Sequence, residues 1–228
     1  MAGEGLLAEV NALGPFFAVA THAAEASPTG PWLALSELLE GPRLDERIGA
    51  TRVALAASAG RPPAEVELRV AASVTQLGLA ARLLSPALAV GVLNGGSLDL
   101  DPSRVWWQPV LGGPLPLSIP FALGGANVIT GPIAALTDAT QRACAVSPTV
   151  LWGNVASAVN GATTMIRVQR PDLAAKAAAY ANALLARSDL SGENAQVGPG
   201  FRRRSCCLIY RIAPGQAQAV CGDCVLQA

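Results

Sequence analysis

The sequence predicts an α+β fold that is predominantly α-helical: a helical body, a small antiparallel sheet, and a cysteine-rich hairpin at the C-terminus. Three observations predict it. Apolar residues recur at three- and four-residue intervals over most of the chain. Between Ser97 and Phe121 that period gives way to short aliphatic and aromatic runs punctuated by Gly and Pro. Four of the five cysteines, Cys206, Cys207, Cys221 and Cys224, fall after Ser205. The organisation read from these is a body over residues 1–190 with its sheet near 97–121, a linker at 191–200, and a terminal cysteine segment at 201–228.

Helical signals run from the first residues to about Leu93, with Pro31 and Pro63 suited to first turns. From Ala64 to Leu84, the residues Val66, Val70, Val74, Leu77, Ala81 and Leu84 form one apolar stripe. Ser85 and Pro86 read as the cap and first residue of a second helix, which Asn94-Gly95-Gly96 ends. The strand candidates are Val105-Trp106-Trp107 and Leu115 to Ile119. Helix resumes after Gly124-Gly125 through about Ala145; Ser147-Pro148 opens another through Val168, and Pro171-Asp172 a third through Arg187. Ser188 to Gly200 is polar and reads as an exposed linker. In the terminal segment, Leu208 to Ile212 has strand composition, Pro214-Gly215 a turn signal, and Ala219-Val220 a return strand, so a hairpin would bring the two cysteine pairs together.

With 51% hydrophobic and 14% charged residues the chain can bury a substantial core. Sixteen basic and 16 acidic residues cancel, so no global field favours nucleic acid or an anionic membrane. The N-terminus carries Glu4 and Glu9 and no Lys or Arg, which predicts a cytoplasmic protein without a secretory leader. The long uncharged stretch Val105 to Thr137 is broken by five prolines, and no transmembrane segment is expected; peripheral membrane contact stays open.

In a reducing compartment, a cysteine group of this density points to a metal or to redox work rather than to disulfides. The pattern is C-C, thirteen residues (208–220), then C-x-x-C. Zinc sites draw ligands in spaced knuckles, which the adjacent Cys206 and Cys207 do not match easily; a 2Fe-2S core has two irons to share out. Gly222 lets the second pair turn tightly and lets amide N–H groups face sulfur. Arg202, Arg203, Arg204 and Arg211 flank the thiols, where they would stabilise an anionic cluster and raise its potential, or contact a donor or chelate. The alternatives are a non-catalytic zinc-binding structural module held by the same four cysteines and a thiol oxidoreductase using Cys221 and Cys224.

These residues resemble the FhuF-like family of ferric-siderophore reductases, whose ending is C-C, ten residues, C-x-x-C. The match lies on Cys206, Cys207, Cys221 and Cys224, and the segments Ala71 to Leu88 and Leu151 to Ala162 are similar to the body of actinobacterial members. The spacer here is thirteen residues, the extra ones around Gly215 to Ala219 at the hairpin tip. The resemblance implies a 2Fe-2S cluster on those four cysteines and the cytoplasmic reduction of siderophore-bound Fe(III) to Fe(II). It also implies a ferric siderophore, of hydroxamate type, and an external electron donor such as a ferredoxin or flavin reductase as partners.

Other features read as structural. His22 is the only histidine, so a histidine-ligated centre or a His-dependent triad would have to rest on that single residue, which reads as structural. Cys144 lies in a helix as a small buried hydrophobe, and Lys176 sits in an Ala-rich helix with no phosphate loop near it. Gly3-x-Gly5 has no strand before it to make a dinucleotide site. Asp99 and Asp101 suit a turn, and Trp106 and Trp107 suit the core.

Overall fold

One helix, α4 (Leu68–Asn94), runs through the middle of the body and is buried along most of its length. The structure, a computed structural model, describes residues 2–120, 123–124, 127–186, 197–212 and 221–226. Before α4 come α1 (Ala2–Ala12), the short strands β1 (Ala20–Thr21) and β2 (Leu33–Ala34), α2 (Leu35–Glu40) and α3 (Arg43–Ser58). After it come β3 (Trp106–Trp107), β4 (Leu117–Ile119), α5 (Ala134–Cys144), α6 (Pro148–Gln169) and α7 (Ala174–Leu185). Helix α4 packs against α1, α3, α5, α6 and α7, with its largest interface on α6. It is long and apolar enough to cross a membrane, but 78% of its most apolar window is buried inside the fold, the pattern of a core helix.

The predicted break at Ser85-Pro86 does not occur. Pro86 removes one backbone donor, and Ser85 turns its hydroxyl back to the Ala81 carbonyl at 2.7 Å. Both residues are buried beside Leu84 and Leu88, so packing on the neighbouring helices holds the turn that the lost hydrogen bond would otherwise weaken. The helix stops at Gly95, which takes φ +78° and donates its N–H to Gly91. Pro63 does open a turn, the 3-10 segment Pro63–Glu65, and Pro148 opens α6; Pro31 instead precedes β2.

The sheet has the order β1-β4-β3-β2. Strands β3 and β4 pair antiparallel as predicted, with Trp106 opposite Ser118, and β2 pairs antiparallel with β3. Strand β1 runs parallel to β4, so the sheet is mixed. Trp107 is 1% exposed and donates Nε1–H to the Ala34 carbonyl at 3.2 Å, which confirms its place in the core. Near the sheet, His22 Nδ1 bonds Ser118 Oγ at 2.8 Å, and the Asp99 and Asp101 side chains close the turn before β3 through the Asp101 and Ser103 amides.

The linker prediction lies mostly outside the described residues. Where the chain returns, Val197 and Gly198 donate their amides to Asn182 Oδ1 and Asn160 Oδ1, both at 2.9 Å, which seats the terminal segment on α7 and α6.

A buried arginine on α4 ties these parts together. Arg82, 2% exposed, donates to the carbonyls of Leu115 at 2.7 Å, Phe16 at 2.8 Å and Ala18, so one guanidinium fastens the loop after α1 and the loop before β4. Burial pushes its pKa down to about 10. The variant Arg82→Met strips three carbonyls of their donor and is expected to lower unfolding free energy by about 3 kcal/mol, measured by chemical denaturation.

Candidate metal centre

From Phe201 to Cys207 burial alternates along the chain. Phe201, Arg203, Ser205 and Cys207 face in; Arg202 and Arg204 face out. The three consecutive arginines therefore divide. Arg203 is 2% exposed, its amide bonds the Asp223 carbonyl at 3.0 Å, and its Nη2 donates to Asn154 Oδ1 at 2.6 Å and Val150 O at 3.4 Å. Arg202 is exposed and donates Nη1–H to the Gly222 carbonyl at 3.2 Å. Arg211 points elsewhere, pairing with Glu67 at 2.7 Å and lying 5.8 Å from the Tyr210 ring centroid.

The backbone next turns sharply. Leu208 takes φ +70°, in the left-handed region, and Ile209–Ile212 forms a 3-10 turn where the composition predicts a strand. Burial explains the difference: the helical turn sinks Ile212 into the body while Arg211 reaches Glu67 on the surface. The predicted hairpin tip and return strand fall in residues 213–220, outside the described residues.

The two cysteine pairs meet all the same. Cys207 Sγ and Cys221 Sγ share a hydrogen bond at 3.6 Å, and Cys206 lies within electrostatic range of Cys207 and Cys224. Cys207 is 1% and Cys224 2% exposed; Cys206 and Cys221 are half-buried. Amides face the sulfurs at both pairs, Leu208 N–H to Cys206 Sγ and Leu226 N–H to Cys224 Sγ, each 3.3 Å. Such bonds favour thiolate over thiol. Cys207 is held below the ordinary thiol range, chiefly by its bond to Cys221, with the Ile209 amide and Arg203 assisting against burial. Cys221 is pushed up by the same bond and by burial, and burial raises Cys206.

A polar line through the core supports the segment. Asn154 on α6 donates to Ser73 O at 2.9 Å, Ser73 Oγ at 3.1 Å and Gln76 Oε1 at 3.0 Å, all on α4. Ser73 Oγ in turn donates to the Cys207 carbonyl at 2.9 Å, and Ser157 Oγ to the Asp223 carboxylate. Residues 203–226 match the family model described as the FhuF 2Fe-2S C-terminal domain. No curated protein matches the chain significantly. The FhuF-type ending makes this an iron-sulfur segment, with a 2Fe-2S cluster as its cofactor.

The residues present fit that group. Nε and Nη1 of Arg203 are buried with no hydrogen-bond partner, and a buried guanidinium without an anion is costly. A cluster held by thiolates is net anionic and offers sulfur acceptors at this position. Two thiolates on one tetrahedral metal lie about 3.8 Å apart, close to the 3.6 Å between Cys207 and Cys221. Among the described residues, no group of three or more His, Cys, Asp or Glu side chains is arranged to hold a metal ion, and the contact between the two cysteine pairs is the one from Cys207 to Cys221.

Four supporting residues escaped the sequence reading: Ser73, Gln76, Asn154 and Ser157. Their signal was present, since Gln76 and Asn154 are polar residues inside apolar helical stretches, and both are fully buried. Cys144, by contrast, ends α5 as a half-buried thiol whose pKa burial raises.

Asn154→Leu deprives Arg203, Ser73 and Gln76 of partners at once and is expected to cost about 2–4 kcal/mol. Paired with Arg203→Met in a double-mutant cycle on the metal-free protein, it is expected to show a coupling energy of about 1 kcal/mol or more by denaturant titration.

Proposed function

We propose that this protein is a cytoplasmic ferric-siderophore reductase, with Cys206, Cys207, Cys221 and Cys224 as the four ligands of its 2Fe-2S cluster. The observation that carries the reading is the convergence of the two cysteine pairs, with Cys207 and Cys221 at 3.6 Å, inside a match to the FhuF 2Fe-2S ending. When bound, the cluster supplies one electron at a time. Hard oxygen donors hold Fe(III) far better than Fe(II), so one electron loosens the chelate and releases the substrate iron.

The chain's own residues divide the remaining work. The Leu208 and Leu226 amides aim at sulfur and Arg203 places buried positive charge beside the thiols, which together favour the more anionic, reduced state. Burial of Cys207 and Cys224 keeps water from that side of the centre, while the half-buried Cys206 and Cys221 leave the other side open to partners. No side chain is required as general acid or base. The partners in this reading are a hydroxamate-type ferric siderophore and a ferredoxin or flavin reductase that restores the electron; Arg202 and Arg204, both exposed, face the solvent from which they arrive.

Purification without oxygen is expected to give a coloured protein with iron and acid-labile sulfide in equal amounts and an electron paramagnetic resonance signal after reduction. A colourless preparation holding stoichiometric zinc would overturn the assignment. Cys207→Ser and Cys224→Ser are each expected to lose most of the iron and sulfide, whereas Cys144→Ser keeps both. Arg203→Gln, with the cluster retained, is expected to shift the midpoint potential negative in a redox titration, because it removes the buried charge that favours the added electron. The reduced protein is expected to convert a ferric trihydroxamate to Fe(II), trapped by a coloured ferrous chelator.

A further inference from the structure

A groove of about 560 Å³ opens beside the cysteine segment, between α4, α6 and the loop after α1, a volume typical of small-molecule sites. One side of it is built from Gly222 and Asp223, the two residues between Cys221 and Cys224. A Cβ placed at Gly222 would meet nothing within 4 Å, so bare backbone of this loop faces open space. Gly161 on α6 is open in the same way and enlarges the groove. Carbon dominates the walls. Phe16 and Met165 are 42% and 40% exposed there, more apolar surface than a closed fold leaves without reason.

Among the described residues, the charges in the lining are one cation, Arg202, and one anion, Asp223. Arg202 donates to the Gly222 carbonyl and Asp223 accepts from Ser157, so each is engaged at the edge of the cysteine loop and the described lining has no net charge. We propose that this groove binds the ferric chelate, as a neutral complex in which three hydroxamate groups cancel the charge of Fe(III). The proposal rests on the reductase reading above and adds where the substrate sits. Such a complex encloses its oxygen-bound metal in a largely hydrocarbon scaffold, which matches carbon walls. A tris-catecholate complex carries three net negative charges, and burying them against a neutral apolar groove is opposed by desolvation. Because Gly222 has no side chain, a ligand in the groove approaches the Cys221–Cys224 loop more closely than at any other residue type.

The test uses the cluster-loaded full chain and a redox-inert probe, the Ga(III) complex of a linear trihydroxamate, titrated by calorimetry. The wild type is expected to bind it, and to bind a Ga(III) tris-catecholate at least about tenfold more weakly. Gly161→Trp, which fills the groove, and Met165→Glu, at a half-exposed site, are each expected to weaken trihydroxamate binding by about tenfold or more while leaving the visible spectrum of the cluster unchanged. No binding by the wild type, equal binding of the two probes, or unchanged affinity in both variants would overturn the proposal. Reduction of the ferric trihydroxamate separates the two readings. A wild type that reduces it equally well with either variant retains the reductase function and loses the groove, whereas a wild type that binds the gallium probe but never reduces the ferric chelate loses the reductase function.

Discussion

Where residues 201–207 lie against α6, a guanidinium with a relative exposure of 2% is buried within electrostatic range of Cys207. Desolvating a cation of this kind costs several kcal/mol unless its donors are met, and only part of Arg203 is met by Asn154 and Val150. That constraint organises the surrounding polar residues. Asn154 turns its oxygen to Arg203 and its amide to Ser73 and Gln76; Gln76 reaches Thr137 and the Leu151 carbonyl; Ser73 holds the Cys207 carbonyl. Helices α4, α5 and α6 and the cysteine segment are thus joined by one hydrogen-bonded line inside an apolar core. It ends at the Arg203 guanidinium, next to the cysteine segment.

The fold meets a second buried guanidinium differently. Arg82 lies on α4, as Ser73 and Gln76 do, and satisfies its donors with three main-chain carbonyls, with no counter-ion. A cation clamped by carbonyls fixes loops and leaves nothing for a ligand. Arg203 retains free donors, so the same side chain is structural on one part of the body and receptive on another. Helix α4 carries both arrangements on the stretch before Pro86, where Ser73 and Gln76 serve the cysteine segment and Arg82 serves the loops.

Helix α6 serves the site on two faces. Asn154 and Ser157 point to the cysteine segment, while Ala158, Gly161 and Ala162 leave room for the groove beside it. Small residues at those positions have two effects, since they let α6 pack closely on α4 and keep space next to the Cys221–Cys224 loop.

Much of this was legible in the residues themselves. The spacing of four thiols names the chemistry of the C-terminus, and Pro63, Pro148 and Gly95 mark turns where they stand because φ restriction and left-handed freedom are local properties. Trp107 in the core and the antiparallel pairing of β3 with β4 follow from composition in the same way. What the chain alone could not decide was which neighbours would meet each residue. Strands β1 and β2 are two residues long, too short to show an alternation, and exist because β3 and β4 offer them edges. Pro86 stays helical because burial outweighs one lost hydrogen bond, and residues 209–212 coil because Ile212 must reach the core. Three adjacent arginines look alike in sequence; only the packing of residues 201–207 on α6 sends Arg203 inward and its neighbours out, because burial is set by contacts distant along the chain.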